Sequence, residues 1–169
     1  MISWKFQHTY MSLFIKDYAK KIYAIEPSKR IFECLKKNTE GWNNIEIFNV
    51  GLFNQRGKQF LFGKDGQTPQ TLMTEGTVKE LVNTITIEEF LNENKIDHID
   101  VMKIDTEGAE YVILADDSFK RIADRIDFII GESHYLHSMI PDHALEILKK
   151  AGFKAKLLPL KNQCLWLDY

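Results

Sequence analysis

Acidic side chains recur in this sequence where apolar runs end. The run Ile99-Asp100-Val101-Met102-Lys103-Ile104 leads straight into Asp105, and Thr106-Glu107-Gly108-Ala109-Glu110 follows. Glu26 closes Ile22-Tyr23-Ala24-Ile25 and precedes Pro27, while Glu132-Ser133-His134 closes Asp127-Phe128-Ile129-Ile130-Gly131. Short runs such as Val101 to Ile104 are mostly apolar and read as strands covered on both faces. In open α/β sheets, ligands bind outside the carboxyl ends of such strands. A carboxylate at the position of Glu26, closing the second strand of a nucleotide-binding unit, can accept hydrogen bonds from both hydroxyls of a ribose.

Each of these positions also has a plain structural account. Acids suit the first turn of a helix through its dipole, and Glu107 and Glu110, three apart, begin one face of a helix continuing through Tyr111-Val112-Ile113-Leu114. Loops are polar in general, and a histidine tip commonly finds a structural partner. Three acids at strand ends of one sheet edge, Glu26, Asp105 and Glu132, weigh toward a site. Asp105, Glu107, Glu132 and His134 also offer oxygen and nitrogen ligands for a divalent cation, the pattern of a metal-dependent hydrolase. They form no dedicated ligand motif, and no metal is assigned to them.

The elements that must position these groups alternate. A helix is predicted over Ser12 to Lys20, with Leu13, Phe14, Ile15, Tyr18 and Ala19 as its apolar positions, leading into a strand over Lys21 to Ile25. Pro27 stops that strand, and Ser28 is placed to cap a helix carrying Ile31, Phe32 and Leu35. Asn44 to Val50 alternates as a strand ending at Gly51, and Gly57 to Gly63 and Val78 to Thr84 read as two more, with a polar loop from Lys64 to Gly76 between them. Thr86 with Glu89 makes a capping box for a short helix through Phe90 and Leu91. Pro141 suits the first turn of a helix through Leu145, Leu148 and Ala151, which Gly152 ends. Phe153 to Leu158 and Gln163 to Leu167, joined by Pro159-Leu160-Lys161-Asn162, read as an antiparallel hairpin. The expected whole is one α/β domain over residues 1–169, with 1–11 an atypical leading segment.

Composition bounds the function. The chain has 169 residues, 44% hydrophobic and 27% charged, enough for a substantial core in a soluble globular protein. A formal charge of −2 gives no basic surface for nucleic acid, which is therefore not an expected partner. No apolar run approaches the roughly 20 residues that cross a bilayer, so no membrane partner is expected and a cytoplasmic location is the default. Cys34 and Cys164 lack metal-type spacing and are expected to be buried thiols.

From Ser12 to Leu167 the sequence resembles the FkbM-type methyltransferases, a branch of the S-adenosylmethionine-dependent enzymes. The likeness rests on Ile22-Tyr23-Ala24-Ile25-Glu26-Pro27, Phe32-x-x-Leu35-x-x-Asn38, Asn49-Val50-Gly51-Leu52, Ile85-Thr86-Ile87-Glu88 and Lys103-Ile104-Asp105-Thr106-Glu107-Gly108-Ala109-Glu110. It implies a Rossmann-like class I methyltransferase sheet of seven strands, mostly parallel, with an antiparallel C-terminal strand. It also implies S-adenosyl-L-methionine as cofactor, with Glu26 on its ribose and Asn49, Val50, Gly51 and Leu52 near its adenine. Asp105 and Glu107, with Glu132 and His134, would face the methyl-transfer pocket. Asp105 and His134 are then the candidate catalytic groups, unranked between them. The implied acceptor is a hydroxyl of a sugar or other small molecule.

One part of the family pattern is missing. A turn of the form Asp-x-Gly-x-Asn-x-Gly should close the first, central strand, yet Ser3-Trp4-Lys5-Phe6-Gln7-His8-Thr9 stands there and the first glycine is Gly41. Bulky side chains cannot replace glycines at positive φ. Three accounts compete: a short central strand with Trp4 and Phe6 packed inside and an impaired cofactor site, a chain whose start lies upstream of Met1, or a fold kept for binding after methyl transfer was lost. The first strand is accordingly expected to be short, altered or missing, and truncation or degeneration is favoured over a rebuilt site.

Overall fold

A computed structural model describes residues 2–4, 15–63, 71, 76–133, 141–160 and 163–167, with the backbone alone for 2–4, 133, 141, 158–160 and 163–167. Five parallel strands run β3 (Ile45–Phe48), β2 (Ile22–Ile25), β1 (Ile2–Trp4), β7 (Ile99–Ile104) and β8 (Ile126–Ser133) across the main sheet. The sheet closes with β10 (Gln163–Leu167) and β9 (Lys156–Leu160), giving seven strands in the order β3-β2-β1-β7-β8-β10-β9. The final strand of the chain, β10, is antiparallel to both of its neighbours, as the resemblance implies. The first strand is central and short: three residues, paired with β2 from Ile2↔Tyr23 to Trp4↔Ile25 and with β7 at Ile2↔Met102. The segment that would carry the glycine turn, from Lys5 on, lies outside the described residues.

A second, three-stranded sheet stands between β3 and β7 in the chain, in the order β4 (Gly51–Leu52), β6 (Val78–Ile85), β5 (Gly57–Gly63). The alternation expected from Asn44 to Val50 therefore divides: β3 ends at Phe48, and the chain changes sheets before Gly51. The polar loop from Lys64 to Gly76 is described only at Thr71 and Gly76.

Helices cover the main sheet because each turns an apolar stripe inward. These are α1 (Lys29–Asn38), α2 (Ile87–Glu93), α3 (Glu110–Ala115), α4 (Asp117–Ile122) and α5 (Pro141–Lys150). The core joins Ile25, Met102 and Ile104 of the strands to Phe90, Leu91, Ile113, Phe119 and Leu148 of the helices. Each such fully buried side chain contributes roughly 1.5–3 kcal/mol. α2 packs on α4 and α3 on α5. The capping box is present: Glu89 N donates to Thr86 Oγ1 at 3.2 Å and Thr86 N to Glu89 Oε2 at 3.0 Å. Gly152, at φ 102°, takes the left-handed turn that ends α5, where Phe153 N bonds Leu148 O at 3.1 Å.

Two expectations about single side chains are corrected. Tyr18, an apolar helix position by sequence, is 89% exposed; Tyr18 N and Ala19 N both bond Ile15 O. Cys34 is exposed rather than buried, because α1 points Ile31 and Leu35 inward and turns Cys34 toward water. Among the described residues, no helix is long and apolar enough to cross a membrane.

Candidate functional site

Strand register brings the acids to one edge. Ile25 pairs with Trp4, and Ile104 pairs with Gly131, so Glu26 and Asp105 directly follow β2 and β7 and Glu132 lies level with them near the end of β8, which continues to Ser133. Glu26 and Asp105 stand on opposite sides of β1, two strand spacings or about 10 Å apart. Asp105 and Glu132 each lie one residue beyond a paired position on adjacent strands.

The Glu26 turn is rigidly held. Glu26 is only 3% exposed, and its Oε1 accepts a hydrogen bond from Ser28 N at 2.8 Å. A buried carboxylate needs such donors to offset its lost hydration. Pro27 is buried behind it and fixes φ. From the neighbouring strand end, Asn49 Nδ2 donates to Glu26 O and Pro27 O, both at 2.9 Å. Asn49 thus supports the turn carrying the acid. Ser28 occupies the N-cap position of α1, yet its hydroxyl makes no cap bond to that helix; it donates instead to Glu80 Oε2 at 3.0 Å.

Asp105 is fully buried, and Lys103, two residues before it, lies with Nζ 3.5 Å from Asp105 Oδ2. Lys103 also faces Glu132 Oε1 at 3.7 Å, so one ammonium serves two carboxylates. After Asp105 the chain does not enter a helix at Glu107, as the sequence predicts. Glu107 has φ 53° and Gly108 φ 106°, which makes a left-handed turn, and α3 starts only at Glu110. Glu110 is buried and works inward: its Oε2 accepts from Thr106 Oγ1 at 2.7 Å and from Gly108 N at 2.8 Å. The turn is tied from outside as well, because Thr71 Oγ1 donates to Glu107 O at 2.8 Å.

The four adenine-side candidates occupy different surroundings. Asn49 is exposed, Val50 half-buried, and Gly51 and Leu52 are buried in β4, with Leu52 in the core at 2% exposure. Val50 borders a surface cavity of about 590 Å³, shared with Phe48, Arg56, Thr84, Phe90 and Asn94. His134 lies outside the described residues. The register therefore gathers Glu26, Asp105 and Glu132, sets Glu107 in the adjoining turn, and keeps Leu52 within the core.

Three contributors escape sequence reading. Lys103, two residues before Asp105, carries a local signal, since alternate strand residues share a face. Glu80 and Thr71 carry none, because both act across long sequence separations. The metal ligands considered from the sequence do not form the cluster with cation geometry among the described residues. That cluster is His98, Asp100 and Asp127, all exposed, near the opposite ends of β7 and β8.

The family model described as the Methyltransferase FkbM domain matches residues 6–155. No protein of curated function matches the sequence. Among solved structures, TrmK of M. capricolum in complex with S-adenosyl-homocysteine is similar with a TM-score of 0.53 at 17% identity. That match covers 99% of this chain, which spans only 59% of the other's length. Fibrillarin of Aeropyrum pernix, with natively bound S-adenosyl-L-methionine, gives 0.58 at 11% identity over 99% of this chain and 65% of its own. An rRNA methylase from Streptococcus thermophilus gives 0.56 at 15% identity over 99% and 84%. At such identities the likeness is one of fold.

Proposed function

Because the chain belongs to the FkbM methyltransferase family, we propose that it binds S-adenosyl-L-methionine across the ends of β2, β1 and β7 and methylates a hydroxyl of a sugar or other small molecule. The observation that carries this reading is the pairing of two buried acids across β1. Glu26 is pinned by Ser28 N, and Asp105 stands beside Lys103 about 10 Å away, a spacing suited to one elongated ligand. The donor set fits: a fixed carboxylate accepts from ribose hydroxyls, and the half-buried Val50 follows Asn49, which is bonded to the Glu26 turn, on the side proposed for the adenine. S-adenosylmethionine supplies a methyl group already activated on a sulfonium. The chain's own task is to align the acceptor and take its proton, with Asp105 or His134 as base. Lys103 stands within ion-pair distance of both Asp105 and Glu132.

The similar folds include proteins described as an rRNA methylase and a pre-rRNA processing fibrillarin. An RNA acceptor finds no support in a formal charge of −2, and the small-molecule or glycan acceptor is preferred. The proposed unit is one domain over residues 1–169, acting in the cytoplasm. A second reading is favoured by Ser3 to Thr9, which contain no glycine: the fold binds the ligand but does not transfer the methyl group.

Amide chemical shifts test the binding reading. Adding S-adenosylhomocysteine should move the resonances of Glu26, Asn49 to Leu52, and Asp105 to Gly108, and leave His98 and Asp127 unmoved. Shifts confined to the His98 end of the sheet, or none, would refute it.

A further inference from the structure

We propose that Glu80, on the second sheet, is a positioning residue that caps α1 from outside and so fixes the Glu26-Pro27-Ser28 turn for the cofactor ribose. The proposal rests on the cofactor reading above and names a residue that the family motifs in this sequence do not include.

α1 lacks its own N-terminal acceptors. Its first turn contains no acid, and the Ser28 side chain makes no cap bond to it. The first amides of a helix have no intrahelical partner and need an acceptor. Glu80 supplies one across 51 residues: Lys29 N donates to Glu80 Oε1 at 2.8 Å, and Ser28 Oγ donates to Glu80 Oε2 at 3.0 Å. A carboxylate at a helix N-terminus also meets the positive end of the helix dipole.

The strand pattern shows why Glu80 can do this. Along β6, Val78, Glu80 and Val82 share one face, with Val82 buried, whereas Lys79, Leu81 and Asn83 face water. Glu80 is thus an acid on the packed face of the small sheet, opposite Leu61 of β5. Such a group is costly there unless hydrogen-bonded, and its partners are the two residues that follow Glu26-Pro27. Both oxygens are used on adjacent residues, so the contact fixes the orientation of the turn as well as its position. Ser28 is the shared hinge: its amide holds Glu26 Oε1 and its hydroxyl holds Glu80 Oε2. Loss of Glu80 releases Ser28 on one side, and the Glu26 carboxylate loses the fixed geometry that a ribose diol needs.

The test uses Glu80→Ala and Glu80→Gln in the full chain, with S-adenosylhomocysteine as probe. Calorimetry should show the dissociation constant rising about tenfold in Glu80→Ala, with the melting temperature lowered by several degrees but the protein still folded at the titration temperature. Glu80→Gln, which keeps an acceptor for Lys29 N, should recover part of the affinity. Hydrogen exchange in the ligand-free protein should show the Lys29 amide deprotected about tenfold in Glu80→Ala. Unchanged affinity in a folded Glu80→Ala, or unchanged protection at Lys29, overturns the proposal. If the parent chain itself binds no S-adenosylhomocysteine, the cofactor reading fails instead, and the exchange measurement still decides whether Glu80 caps the turn.

Discussion

Removing the Lys103 ammonium should destabilise the chain far more than an ordinary lysine substitution. Lys103 is 7% exposed, and its Nζ lies 3.5 Å from the fully buried Asp105 and 3.7 Å from Glu132. At an effective dielectric constant of about 20, a pair 3.5 Å apart attracts by about 5 kcal/mol before desolvation is counted. The Glu132 side chain is 20% exposed, so water screens that second attraction and it adds less. Lys103→Met keeps the aliphatic stem but takes the ammonium away from the buried Asp105 and from Glu132, which should cost about 3–5 kcal/mol. Native domains are stable by roughly 5–15 kcal/mol, so the variant should still fold in the absence of urea. Urea unfolding followed by fluorescence, with the m-value as a check on compactness, measures the loss. Adding Asp105→Asn removes the carboxylate that Lys103 faced and should restore about half of the loss or more, because deleting both partners of a buried pair costs far less than deleting one. A loss below about 1 kcal/mol for Lys103→Met, or a second substitution that deepens the loss, would refute the pairing as a buried charge interaction.

Two further outcomes follow from the same geometry. Glu110→Ala strips acceptors from the buried Thr106 hydroxyl and Gly108 amide and should cost about 2–4 kcal/mol by urea unfolding. In α2, the Thr86 backbone amide, followed by Arg56 and the Thr86 hydroxyl, holds the Glu89 carboxyl below its ordinary value of 4.5. A depressed folded pKa means that Glu89 stabilises fully above that ordinary value and loses its contribution as pH falls through the folded one. The stability gap between the parent and Glu89→Gln should hold steady from about pH 7 to 5 and close below about 4.5; a gap that widens on acidification would contradict the sign.

Much of this molecule is legible residue by residue, and the failures have physical causes. The largely apolar Val101 to Ile104 marks a strand and Asp105 its end, and in β7 only Asp100 is exposed. Thr86 and Glu89 gave a local capping signal that packing had no reason to override. Glu107 misled because acids before an apolar stretch also mark helix starts. What decided otherwise was a left-handed turn at Glu107-Gly108, stabilised by Glu110 and by the distant Thr71. The break between β3 and β4 is hidden for a similar reason, since Asn49 turns its amide to the carbonyls of Glu26 and Pro27 in the turn after β2. Glu80 was invisible altogether, because a cap supplied from 51 residues away leaves no spacing to find.

The central claim is that the buried Glu26 turn receives a cofactor ribose, and calorimetric titration with S-adenosylmethionine and S-adenosylhomocysteine tests it most directly. Micromolar binding by the parent chain, abolished in a folded Glu26→Ala, is the predicted result. No detectable binding to the folded parent, or equal binding by Glu26→Ala, would contradict it.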